Sequence, residues 1–145
     1  MSKYIQHIIP ETKSIWNNIT NIADVRKAVY EYYRLNIMGE TIINKDKGHK
    51  ILFTNKPGGR KIAFGGSFYK QKAEAVKIIT GLMKEAKYNN WGSPKKTDKK
   101  YVIGYLNYKA IGKIDGKIYY FRIAVQLRKD GNMYYNHEIN IMKKK

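Results

Sequence analysis

The chain has 145 residues, enough for one domain with its own core and too few for two. Apolar residues make up 43%, which excludes wholesale disorder, and the lack of cysteine excludes disulfides, thiolate metal sites and a cysteine nucleophile. A count of 29 Lys and Arg against 11 Asp and Glu leaves a net charge of +18, a field that draws in polyanions.

Met1–Pro10 lacks the apolar core of a signal peptide, and no apolar run reaches membrane-spanning length. No membrane partner and a cytoplasmic site of action are therefore expected. A domain carried within a larger delivered or secreted protein would show the same features. Pro10–Thr20 reads as a short helix anchored by Ile15 and Trp16. Asp24 is placed to cap a second helix, from about Val25 to Ile37, with Ala28, Tyr32 and Leu35 on one stripe and Val25, Val29 and Tyr33 beside it. Gly39 ends this segment, so residues 1–39 are expected to form an N-terminal helical unit. Up to residue 40 the charge is nearly balanced; the excess lies beyond, where residues 40–145 are expected to meet the ligand.

Thr41–Asn44 and His49–Thr54 read as two short strands, joined by a turn over Lys45-Asp46-Lys47-Gly48, whose Asp and Gly tolerate positive φ. Lys56-Pro57-Gly58-Gly59 is a second turn, and Arg60–Phe64 reads as a strand. Ser67 then caps an amphipathic helix to about Tyr88, with Ala75, Ile79, Leu82 and Ala86 on one stripe. Asn89–Lys100 reads as a mobile polar loop. Tyr101–Ile114, Lys117–Arg128 and Met133–Met142 are strands, with Asp115-Gly116 the strongest hairpin signal in the chain and Lys129–Asn132 the next turn. Helices, a short β element, one helix and an antiparallel β-meander make an α+β domain, one compact unit overall.

In the central strand of the meander, Tyr119, Phe121, Ile123, Val125 and Leu127 alternate onto a face that must pack on the helix. Tyr120, Arg122, Gln126 and Arg128 project from the other. That face is either ordinarily solvated or stacks on bases and clamps phosphates.

Eleven scattered acids with no recognisable pair offer no place for a catalytic Mg²⁺, so no metal and no other cofactor is expected. RNA needs none, because its own 2′-hydroxyl can attack the neighbouring phosphate. The protein then moves protons and stabilises extra negative charge, which His, Tyr, Lys and Arg can do. His7 sits in an apolar run and reads as a packed or terminal residue. His49, beside Lys50 after a turn, is either catalytic or merely solvated. His137 shares its side of the last strand with Met133, Tyr135, Ile139 and Ile141, which makes it a core residue unless a bulge turns it outward. Arg60-Lys61, between a Gly-Gly turn and a helix cap, can meet a phosphate together with helix N-terminal amides.

Several of these pieces, in this order and spacing, resemble a nuclease-like domain of large polyvalent phage and mobile-element proteins. They are Asn44-Lys45-Asp46-Lys47-Gly48 with Ile51 and Phe53, Gly59-Arg60-Lys61, Leu82 with Glu85-Ala86-Lys87-Tyr88, Tyr120-Phe121-Arg122, and Asp130-Gly131 leading to Tyr134-Tyr135-Asn136-His137. Ile62 and Asn136 stand where the pattern favours threonine and aspartate. The resemblance covers about residues 40–142 and implies the barnase–EndoU–colicin–RelE superfamily, whose members are mostly metal-independent ribonucleases and toxins. It implies a role for Lys61 and for His137. The expected function is a metal-independent endoribonuclease toxin or effector domain. Lys61 and Arg60 would stabilise the transition state, His137 or His49 would exchange protons, and Tyr135 would orient or assist. Lys50, Tyr120, Arg122, Gln126 and Arg128 would hold RNA, and an acidic immunity or antitoxin protein is a possible partner. The alternatives are a non-catalytic nucleic-acid-binding module, and a small mobile-element inhibitor that occupies another protein's nucleic-acid or acidic site.

Overall fold

A computed structural model describes residues 9–16, 18–60, 62 and 70–143. Its first element, β1 (Glu11–Thr12), is a strand where a helix was expected over Pro10–Thr20. The carbonyls of Pro10 and Thr12 each accept at 2.9 Å, from the N–H groups of Lys113 and Asp115, so this backbone is committed to a sheet edge. Trp16 is buried as expected, while Ile15 is exposed. α1 (Ile22–Asn36) begins earlier than its apolar period suggests, because Asn21 rather than Asp24 caps it. The Asn21 side-chain oxygen accepts from the N–H groups of Ala23 and Asp24 at 2.8 and 3.3 Å. Val25, Val29 and Tyr33 are the buried stripe, and Leu35 is exposed.

β2 (Thr41–Ile43) and β3 (Lys50–Leu52) form the expected hairpin. Asn44 at its turn is fully buried and donates to the carbonyls of Met83 and Ala86 at 2.7 and 2.8 Å. A wide helical turn, Asn55–Gly59, follows. Its glycines are required by close approach: a Cβ on Gly58 would stand 2.7 Å from the Tyr33 hydroxyl and 2.9 Å from the Tyr135 carbonyl oxygen. Arg60 continues with helical backbone (φ −64°, ψ −37°), so the strand expected over Arg60–Phe64 does not start there. The rest of that segment apart from Ile62, the proposed cap Ser67, and His7 lie outside the described residues.

The single helix expected to run to Tyr88 is two helices, α2 (Lys70–Ala75) and α3 (Ile79–Glu85), separated by a tight turn over Val76–Ile78. Val76, Ile78 and Ile79 are β-branched, and such residues crowd a continuous α-helix. The residues after α3 leave the helix: β4 (Lys87–Gly92) is a strand where a helix end and a mobile loop were expected. Its pairing is sealed by an amide–amide hydrogen bond from Asn107 to Asn90 at 2.9 Å, and by Trp91 lying over Gly104, where any Cβ would meet the indole at 2.2 Å.

The meander then follows its expected bounds closely: β5 (Val102–Ile114), β6 (Lys117–Arg128) and β7 (Met133–Lys143). Asp115 and Gly116 adopt φ of 52° and 77°, the two positive values that suit a two-residue hairpin. The whole is one mixed sheet in the order β1-β5-β6-β7-β3-β2, with β4 also on β5. β1 runs parallel to β5 and β3 parallel to β7; the other pairs are antiparallel. Tyr119, Phe121, Ile123 and Val125 face the helices and are buried with Ile79, Leu82 and Met83. Val29 and Tyr33 of α1 share that core, so the fold is α+β around a single apolar interior.

Candidate functional site

Three places hold the residues singled out from the sequence, and they do not coincide. The first is a bulge on β7. Ala124 pairs with Glu138 but its neighbour Val125 pairs with Tyr135, so Asn136 and His137 are extra to the ladder. His137 accommodates this with a φ of 55°, rare for a residue with a side chain. The bulge does not turn the imidazole to solvent: His137 is 4% exposed, and the Tyr135 hydroxyl lies 2.6 Å from its Nδ1. Tyr135 is itself fully buried, with its ring stacked on Phe53 at 4.9 Å, and burial pushes its phenol well above the usual value. It therefore keeps its proton. Asn136 is fully buried too, and neither its amide nitrogen nor its oxygen has a hydrogen-bond partner among the described residues. The turn Asn55–Gly59 packs against this stretch of β7 and delivers Arg60, exposed, at its end. Lys61 lies outside the described residues.

The second place is around His49. Its Nδ1 is hydrogen-bonded to the Tyr108 hydroxyl, and its ring meets Tyr88 and Tyr108 edge-on at 6.1 Å. Partial burial, and then the Lys47 cation, push its imidazole below the usual value, against a weaker pull from Asp46. Ile51 of β3 pairs in parallel with Met133 of β7. The two histidines have separate partners, Tyr108 for His49 and Tyr135 for His137. Lys50, beside His49, is exposed.

The third place is the open face of the meander. Tyr120 and Arg122 project from it as expected and are exposed. Gln126 and Arg128 are engaged within the protein. Gln126 is buried at 6% exposure, accepts from Arg128 Nε at 2.7 Å and donates to the Tyr105 hydroxyl at 3.4 Å. The Arg128 guanidinium lies over Tyr134 at 4.2 Å and near Tyr101 at 4.8 Å, and donates to the Lys56 carbonyl at 3.3 Å. Its stacking and hydrogen bonds tie the end of the sheet to the turn before Arg60. Tyr101, which supplies one of those rings, was not singled out from the sequence. Neither was Tyr105, whose hydroxyl donates to Asp98 at 2.8 Å.

Among the described residues no three His, Asp or Glu side chains converge as a metal site, and no helix is long and apolar enough to cross a membrane. Several residues that carried the sequence resemblance have structural duties: Asn44 anchors the β2–β3 turn to the end of α3, and Phe53 stacks on Tyr135. The family model of large polyvalent protein-associated domain 3 matches residues 20–135. No curated protein and no solved structure matches the chain.

Proposed function

Because the chain belongs to the large polyvalent protein-associated domain 3 family and carries +18, we propose that it is an RNA-directed domain of the barnase–EndoU–colicin–RelE superfamily. In this proposal it cleaves RNA without a metal ion, centred on the β7 bulge. The supporting observation is His137: a residue held at φ 55°, bonded to a buried tyrosine, and next to a buried amide without a partner among the described residues. Backbone strain and unsatisfied polar groups collect at functional sites. The RNA 2′-oxygen forms a bond to phosphorus while the bond to the 5′-oxygen breaks; His137 takes up the 2′ proton, and the leaving 5′-oxygen takes a proton from water. Arg60 and Lys61 offset the charge that builds on the phosphorane-like transition state. Tyr135 positions the imidazole by holding Nδ1, and His49 falls outside this centre. RNA in the cytoplasm is the substrate.

The test is total RNA incubated with the purified protein in EDTA. Fragments ending in 2′,3′-cyclic phosphate are expected, while DNA, and RNA bearing a 2′-O-methyl group at the cut site, stay whole. Intact RNA, or a requirement for Mg²⁺, overturns the proposal. One observation favours a second function, a non-catalytic RNA-binding module: Tyr135 and His137 are both buried, so RNA reaches the imidazole only if it is uncovered. That module would bind RNA in the same assay and leave it uncut.

A further inference from the structure

The open face of the meander carries two parallel rows that run across the strands. Directly opposite residues of antiparallel strands share a face, so Ile111, Tyr120 and Met142 stand in one row and Lys109, Arg122 and Asn140 in the next. Ile9, just before β1, extends the first row, and Lys87 of β4, paired with Lys109, extends the second. Together they line a groove of about 870 Å³. The apolar row is unusually open for a sheet: Ile9 is 40% exposed, Ile111 45%, Tyr120 40% and Met142 58%. Lys87, Lys109 and Arg122 are exposed, and none pairs with a carboxylate among the described residues. Glu85, the acid at the rim, is held by Lys45.

An apolar stripe beside a cationic stripe complements a segment with an apolar edge beside an acidic one. RNA fits the floor poorly. Base stacking uses aromatic and guanidinium faces, and three of the four floor residues are aliphatic. The apolar row crosses roughly 14 Å, three gaps of about 4.8 Å, which is close to the length of about ten helical residues at 1.5 Å each. We propose that this groove docks an acidic amphipathic helix of a partner protein, its apolar edge on Ile111, Tyr120 and Met142 and its carboxylates on Lys87, Lys109 and Arg122. The groove lies on the face of the sheet opposite the helices. It neither includes nor touches the β7 bulge residues, so the inference stands whether or not the chain cleaves RNA.

Because a chain of +18 attracts any polyanion, the test must separate pattern from charge. The probe is a synthetic 14-residue helix, about four turns long, with leucines at helical spacing and glutamates elsewhere. Its comparison is a scrambled peptide of the same composition, and binding is read by fluorescence anisotropy. The patterned peptide should bind at least about tenfold more tightly than the scrambled one. Ile111→Ser and Met142→Ser, both on exposed side chains that leave the core intact, should each remove most of that difference. Arg122→Glu should weaken the patterned peptide further, while circular dichroism of all three variants stays that of the wild type. Equal binding of the two peptides overturns the proposal, as does binding of the patterned peptide that Ile111→Ser and Met142→Ser leave unchanged. A parallel loss of affinity for single-stranded RNA or anionic phosphatidylserine vesicles in the serine variants would assign the groove to those ligands and equally overturn it.

Discussion

The Tyr135 hydroxyl lies 2.6 Å from Nδ1 of His137, although the two residues are separated on β7 only by Asn136. On a regular strand, residues two apart stand roughly 7 Å from each other. The positive φ of His137 falls at the bulge where this bond is made. Local strain and a buried hydrogen bond are thus two parts of one arrangement, and each is open to measurement.

Tyr135→Phe keeps the ring on Phe53 and removes only the hydroxyl. The imidazole then loses a buried partner, at a cost of about 1–3 kcal/mol. Urea unfolding should show a lower midpoint with an unchanged slope. A midpoint equal to that of the wild type would mean that the bond contributes nothing to the fold.

Lys61→Ala should slow RNA cleavage by about a hundredfold or more, the usual loss when a transition-state stabiliser is removed. Thermal melting should stay unchanged. Full activity in the variant would take Lys61 out of the proposed centre.

Gly112 lets α3 seat on the sheet. A Cβ there would stand 2.8 Å from the Phe121 ring and 3.0 Å from Leu82. Gly112→Ala should therefore overpack the core and destabilise the protein by about 1–3 kcal/mol. If the melting temperature holds, the helix is free to ride up by a methyl radius.

His49 should make stability fall on acidification. Its imidazole is held below the ordinary value, chiefly by partial burial and then by Lys47. As pH drops below about 6.5, the unfolded chain takes up the proton before the folded one does, and the equilibrium shifts toward unfolding. The contribution is complete above that pH and is lost through the folded value. Denaturant titrations across this range should show a smaller pH dependence in His49→Gln than in the wild type. Identical slopes would remove His49 as a source.

Affinity for single-stranded RNA should drop steeply with salt. Release of about six counterions corresponds to roughly a thousandfold loss between 50 and 200 mM salt. A flat titration would exclude a polyanion as the ligand of this surface.

The meander was legible because its signals are local. Alternation in Lys117–Arg128 and the Asp115-Gly116 turn set both the strand bounds and the buried face. β4 was not legible, since Tyr88-Asn89-Asn90-Trp91-Gly92 has no alternation; it becomes a strand through Asn107 and Gly104, residues on another strand. β1 was missed for the same reason, its backbone partners lying on β5 and in the turn after it. At the candidate site, the apolar company of His137 on β7 pointed correctly to burial. The displaced register against β6 that creates its strain is a property of two strands and cannot be read from one. Gln126 and Arg128 stood on the open face by parity, but the rings of Tyr101 and Tyr134 that engage Arg128 are again tertiary partners.

The parallel seat of β3 on β7 also sets an order of assembly. A ribosome delivers β3 about eighty residues before the strand it joins, so the β2–β3 hairpin and its apolar residues Ile42 and Ile51 wait without their neighbour until the intervening residues have been made. Long-range parallel pairing of this kind forms slowly and leaves an open edge meanwhile. The turn bearing Arg60 reaches the β7 bulge only once β7 exists. A nascent chain lacking that strand therefore lacks the bulge on which the proposed cleavage centre would rest.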